Sequence, residues 1–155
     1  MKVYLGTDHA GFKLKEEIKA FLKAEGHQVY DEGAFEFEAG DDYPDFIDIV
    51  AKQVASDPDN NFGIVFGASG QGEAMCANRY KHIRAAVFYG GADEIIKLSR
   101  EHNNANILSL GAKFLDHDLT KHSVKLWLET KFSGEDRHIR RNAKIDYKVP
   151  AENEF

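Results

Sequence analysis

The chain has 155 residues, 43% of them hydrophobic and 30% charged, with a net charge of −6. A single domain of that length buries a sizeable core, and the acidic balance argues against nonspecific binding to nucleic acid or to an anionic membrane. One cysteine, Cys76, excludes an internal disulfide and suits a reducing compartment, and no apolar run approaches the length of a membrane span. With no signal-peptide pattern, the expected location is the cytoplasm.

Residues 2–7 form a β-rich first strand containing Val3 and Leu5, and Asp8-His9-Ala10-Gly11 follows at its end. Leu14, Ile18, Phe21 and Leu22 give a helical stripe that runs to about Ala24, where Glu25-Gly26 stops it. Residues 27–30 are a short second strand, and residues 31–42 a long acidic loop of the kind that often carries function. Pro44 opens the second helix, with Phe46, Ile49, Val50 and Val54 as its expected apolar face. Residues 63–67 form a third strand, 72–80 a third helix and 83–88 a fourth strand. Residues 92–101 form a fourth helix containing Ile95, Ile96 and Leu98, and residues 105–110 a fifth strand. Residues 116–130 form a long helix containing Trp127; a basic segment and a polar tail from about residue 142 follow.

Five alternations of strand and helix with short connections predict a parallel sheet covered by helices on both faces. Residues 1–155 read as one domain, with no internal repeat or linker. Sites in such sheets form where strand ends meet a topological switch point. The first and third strands both end in polar, glycine-containing loops, which would bring Asp8 and His9 beside the turn after residue 67.

That turn, Gly67-Ala68-Ser69-Gly70-Gln71-Gly72-Glu73, joins a buried strand to a helix N-terminus. It can aim free backbone N–H groups at one spot, with Glu73 beside them. Glu73-Ala74 follows where a nucleotide-binding Walker loop needs Lys-Ser/Thr, the nucleophile-elbow pattern lacks its last glycine, and the dinucleotide fingerprint fails at Met75. The plain alternative is a tight turn whose glutamate favours the helix dipole.

Three further groups have two readings each. Asp8-His9 can accept a substrate hydroxyl and move protons, or Asp8 can cap a helix beside a solvated histidine. His102 and Asn103 can be site residues, or a cationic histidine and a left-handed cap ending the fourth helix. Arg137 and Arg141, one turn apart if helical, can hold a phosphate dianion or lie on a solvated face. The seven histidines are scattered without metal-ligand spacing, so no metal site is expected.

Asp8-His9-Ala10-Gly11, Asp42-Tyr43-Pro44, the turn 67–73, Ala77-Asn78, His102-Asn103 and Arg137-His138-x-x-Arg141 occur in this order. Together they resemble the ribose-5-phosphate isomerase type B family, which includes galactose-6-phosphate isomerase subunits. The resemblance extends to about Arg141. It implies a Rossmann-like three-layer α/β/α sandwich with a five-stranded parallel sheet. It also implies a cofactor-independent, metal-free aldose-ketose isomerase that works as a homodimer, or a tetramer built from it, with sites shared across the interface.

By the same resemblance Glu73 is the base that carries a proton between C2 and C1, and Ser69 is the hydroxyl residue of the turn. Other members place a cysteine at the position of Gly67, so this chain looks like the glutamate type. Asp8, His9, Tyr43 and the backbone of Ala68, Gly70, Gln71 and Gly72 match the sugar-binding set. His102, from the partner subunit, matches the acid that opens the ring, and Asn103, Arg137 and Arg141 match partner-side ligands. Two departures bear on substrate size: Lys113 stands where many members have an arginine near phosphate, and Ala68 replaces a glycine. Isomerisation of a six-carbon sugar phosphate (galactose 6-phosphate or allose 6-phosphate) and a noncatalytic phosphate- or flavin-binding module are the alternatives.

Overall fold

The computed structural model describes residues 1–148. Its strands are β1 (Lys2–Thr7), β2 (Gln28–Asp31), β3 (Asn61–Gly67), β4 (Ala85–Phe88) and β5 (Ile107–Gly111). They form one sheet in the order β2-β1-β3-β5-β4, and every neighbouring pair is parallel. The helices are α1 (Phe12–Ala24), α2 (Tyr43–Ala55), α3 (Gln71–Ala77), α4 (Asp93–Glu101), α5 (His117–Glu129) and α6 (Asp136–Asp146), with a 3₁₀ turn at His9–Gly11. The expected five-stranded, three-layer α/β/α sandwich is the fold observed. The chain winds from β1 outward to β2, then returns to lay β3 on the other side of β1, so the switch point lies between β1 and β3.

Each face of the sheet carries its own apolar layer. Leu14, Ile18 and Leu22 of α1, Ile96 of α4, and Val124, Trp127 and Leu128 of α5 cover one face. Ile47, Val50, Ala51 and Val54 of α2 and Ala77 of α3 cover the other. β3 is buried along its whole length, as an apolar run with helices on both sides requires.

Several local expectations shift. The buried stripe of α2 includes Ile47, whereas Ile49 is exposed, because neighbouring positions on a helix point about 100° apart. Ile95 of the fourth helix likewise points outward. Cys76 is half-buried against the α2-side apolar layer, and its thiol lies 3.2 Å from Asp48 Oδ1. β4 begins at Ala85, since the Arg84 N–H is taken by Asn106 Oδ1 at 2.9 Å. The left-handed residue after α4 is Asn104, with φ 46°, not Asn103. α6 runs to Asp146, past the tail boundary expected at 142.

Two buried cations organise the frame. Lys15 is fully buried in α1 and donates to Asp31 Oδ1 at 2.5 Å and to the Ala34 carbonyl at 2.8 Å, pinning the start of the acidic loop. Arg100 lies over the rings of Phe62 and Trp127 and donates to the Thr130 and Ala105 carbonyls. Burial, with Arg84 nearby, lowers its pKa to about 10, so it still enters the core as a cation near neutrality.

Candidate active site

The crevice at the switch point is built from the ends of β1 and β3. Thr7 Oγ1 donates across to the Phe66 carbonyl at 2.9 Å, fixing the end of β1 against β3. Asp8 follows at once and is buried. Its Oδ1 accepts the Ala10 N–H at 2.9 Å and caps the 3₁₀ turn, which leaves Oδ2 4.0 Å from His9 Nδ1. The capping reading of Asp8 therefore holds without consuming the second oxygen.

On the β3 side, Gly70 adopts φ 77° and reverses the chain into α3, a conformation that suits glycine. Ser109 Oγ of β5 donates to the Gly70 carbonyl at 2.5 Å and anchors the turn. The Gln71 N–H lies 3.4 Å from Ser69 Oγ, and the Glu73 N–H is turned to its own carboxyl. Glu73 is 4% exposed. Burial holds its carboxyl above the ordinary carboxylate range, its own backbone N–H opposes this, and the charge of Asp8 adds to the rise. A carboxyl so placed favours taking a proton over staying charged, as a general base for carbon acids requires.

Two further predicted residues reach the same crevice. A Cβ at Gly72 would lie 2.7 Å from Tyr43 Oη, so the phenol rests on the glycine. Lys113, just past β5, donates its N–H to the Ala68 carbonyl at 3.1 Å, and its exposed side chain starts beside the turn. Asp8, His9, Tyr43, Ala68, Ser69, Gly70, Gln71, Gly72, Glu73 and Lys113 thus gather at one edge of the sheet.

His102, Asn103, Arg137 and Arg141 do not join them. α4 runs antiparallel to the strands, so His102 at its C-terminal cap lies at the opposite edge. There its ring stacks on buried His138, with centroids 4.2 Å apart and planes 13° apart. The Asn142 amide donates to the His102 carbonyl at 3.3 Å. Burial, then the neighbouring His102, lowers the pKa of His138. Arg137 and Arg141 share a face of α6 and are exposed, with Arg137 Nε 2.8 Å from Glu135 Oε2. The seven residues of β3 span roughly 20 Å at about 3.3 Å each, which separates the two groups within one chain.

Asp41 was missed in the sequence. Its Oδ1 accepts the His9 backbone N–H at 2.9 Å and meets His9 Nδ1 at 2.6 Å. The Asp41 hydrogen bond raises the His9 pKa, burial opposes it, and the charge of Asp8 adds to the rise. The donor atoms of Asp8, His9 and Asp41 lie within 4.8 Å of one another, a grouping that histidine spacing alone could not foretell. The available signal was the acidic loop itself, since residues 31–42 must return to the switch point to start α2.

Fold and site together define a Rossmann-like α/β protein with a buried carboxylate and a glycine turn at the switch point of its sheet. The chain belongs to the ribose/galactose isomerase family, whose model matches residues 3–145. It is 43% identical over 141 residues to ribose-5-phosphate isomerase B of Mycolicibacterium paratuberculosis, covering 91% of this chain and 87% of the relative. The structure of ribose-5-phosphate isomerase B from Mycoplasma genitalium with bound ribulose-5-phosphate superposes with a TM-score of 0.89 at 36% identity, over 94% of each chain. That of the Clostridium thermocellum enzyme superposes with a TM-score of 0.88 at 42% identity, over 95% of this chain and 96% of the other.

Proposed function

We propose that this chain interconverts ribose 5-phosphate and ribulose 5-phosphate, by ring opening and proton transfer through a cis-enediolate. The observation that carries the reading is the Glu73 carboxyl. It is 4% exposed, raised in pKa by burial, and set on the first turn of α3 behind a glycine turn. Glu73 takes the proton next to the carbonyl and returns it to the adjacent carbon. The enediolate oxygen, as it gains charge, is held by backbone N–H groups of residues 68–72, each good donor contributing about 3–4 kcal/mol in other enzymes. Ser69 contributes a hydroxyl to the same pocket. Asp8 receives the anomeric hydroxyl proton, and Tyr43 and His9 orient the sugar.

His102, Asn103, Arg137 and Arg141 complete the site from a second copy of the chain. A separation of roughly 20 Å along one sheet exceeds the reach of a pentose phosphate, whereas an opposing protomer can supply its own lower edge. His102 then protonates the ring oxygen, and the two arginines hold phosphate as a bidentate pair, with Lys113 as a point charge on the near side. A homodimer is the smallest assembly that does this, and the cytoplasm, where sugar phosphates are retained, is the expected location.

The test is a panel of ribose 5-phosphate, allose 6-phosphate and galactose 6-phosphate offered to purified protein, with ketose formation followed. Ribose 5-phosphate should give the highest kcat/KM. Preference for a six-carbon substrate would replace the substrate and keep the mechanism. No turnover of any of the three, with a flavin copurifying, would favour the binding module.

A further inference from the structure

We propose that Asp41 is the positioning residue for His9: by accepting both N–H groups of that residue, it fixes the imidazole as the Nδ1–H tautomer and leaves Nε2 for an oxygen of the sugar phosphate. The inference deepens the reading above and rests on it for the identity of the ligand. A carboxylate oxygen can only accept, so an Asp41 Oδ1 lying 2.6 Å from Nδ1 and 2.9 Å from the backbone nitrogen requires hydrogens on both. The Asp41 side chain is 8% exposed, and its Oδ2 has no hydrogen-bond partner among the described residues, so the carboxylate is committed to His9. The His9 ring, about a third exposed, meets the edge of Phe37 on its other contact, with centroids 6.3 Å apart.

The charged groups facing His9 are Asp41 from the acidic loop and Asp8 from the end of β1, 4.0 Å from Nδ1. Both favour the imidazolium. Below the midpoint of His9, Nε2 carries a hydrogen and donates to a phosphate or hydroxyl oxygen; above it, Nε2 only accepts. Asp41 therefore extends the donor state to higher pH. It also ties the loop 31–42 to the switch point, so the same contact that orients His9 closes one wall of the crevice.

The variants are Asp41→Asn, whose amide oxygen can accept the same two hydrogens without the charge, and Asp41→Ala, which removes both contacts. Long-range ¹⁵N–¹H spectra of the histidines, with His9 assigned by loss of its signals in His9→Asn, report tautomer and midpoint without any assay of turnover. Wild type should show the Nδ1–H tautomer with a midpoint above 6.5. Asp41→Asn should keep the tautomer and lower the midpoint, and Asp41→Ala should lose the tautomer preference. In kinetics with ribose 5-phosphate at neutral pH, KM should rise by about tenfold in Asp41→Ala, less in Asp41→Asn, and more than kcat falls in both. A wild-type Nε2–H tautomer, or a midpoint unmoved in Asp41→Asn, would overturn the proposal. A protein that passes the spectroscopic test yet turns over no sugar phosphate would instead sink the isomerase reading.

Discussion

The Glu73 carboxylate occupies the volume that any side chain at Gly67 would need: a Cβ built on Gly67 runs into Glu73 Oε1, Cδ and Oε2. A carboxylate at 73 and a side chain at 67 are therefore alternatives in space. Gly67→Ala should drive Glu73 from its place and lower turnover by at least about tenfold, with an overpacking cost of about 1–3 kcal/mol. In a Glu73→Ala background the same change should cost much less stability. A double-mutant cycle on thermal or urea unfolding checks this, with an expected coupling of about 1 kcal/mol or more. Additive effects would mean that the two residues do not share this space in solution.

Much of this site was legible because short-range chemistry produces it. The apolar run before Gly67, the glycines and Glu73 specify a strand, a turn and a helix start without help from the rest of the chain. Alternation of strand and helix then places the ends of β1 and β3 together. What sequence order hid depends on contacts between distant segments. Lys15 looks like a solvated helix residue until Asp31 and the Ala34 carbonyl bury it. Asp41 looks like one acid among several in a loop until it meets His9, 32 residues away. Ile47 and Ile49 are equally apolar, and the azimuth of α2 on the sheet decides which is buried.

The raised pKa of Glu73 makes a stability prediction with a definite sign. In the unfolded chain its carboxyl titrates near 4.5, and burial raises it in the native state. Between the two midpoints the native state binds more protons, so stability falls as pH rises through that window. Below it, Glu73 is protonated in both states and the penalty is absent. Glu73→Gln should thus raise Tm at pH 8 by about 2 °C or more and flatten this part of the pH dependence, while the difference shrinks near pH 4. The same variant should lose at least about 100-fold in turnover. An inactive variant that is less stable than wild type at pH 8 would contradict burial of an ionised Glu73.

Cys76 is expected to be inert. Burial, together with Asp48 beside the thiol, pushes its pKa up to about 12, which leaves almost no thiolate at pH 8. Alkylation of the folded protein by iodoacetamide at pH 8 should be far slower than that of the unfolded chain. Cys76→Ala should leave kcat/KM within about twofold and cost about 1 kcal/mol of stability through the lost contact with Asp48. Rapid alkylation with loss of turnover would put a sulfur nucleophile back into the mechanism.

The two edges of the sheet lead to the last prediction. Glu73 and Asp8 stand at the carboxyl edge, while His102 caps α4 at the amino edge and stacks on His138 of α6. Within one chain they are separated by roughly the length of β3, about 20 Å. A shared site in a two-fold dimer would contain Glu73 of one protomer and His102 of the other. Glu73→Gln and His102→Asn should each be nearly inactive alone, since each damages both sites of its own homodimer. When the two are unfolded together and refolded as an equal mixture, about half of the dimers should be mixed. A mixed dimer has one site with both residues intact and one with both replaced. Each such dimer therefore regains one working site of two, and the mixture should recover about a quarter of wild-type activity per protomer. Size-exclusion chromatography and a tag on one variant establish that mixed dimers have formed. Recovery near that value requires residues from two chains in one site. Proven mixed dimers without recovery would mean that each site is complete within one subunit, and His102 would then be a helix cap stacked on His138.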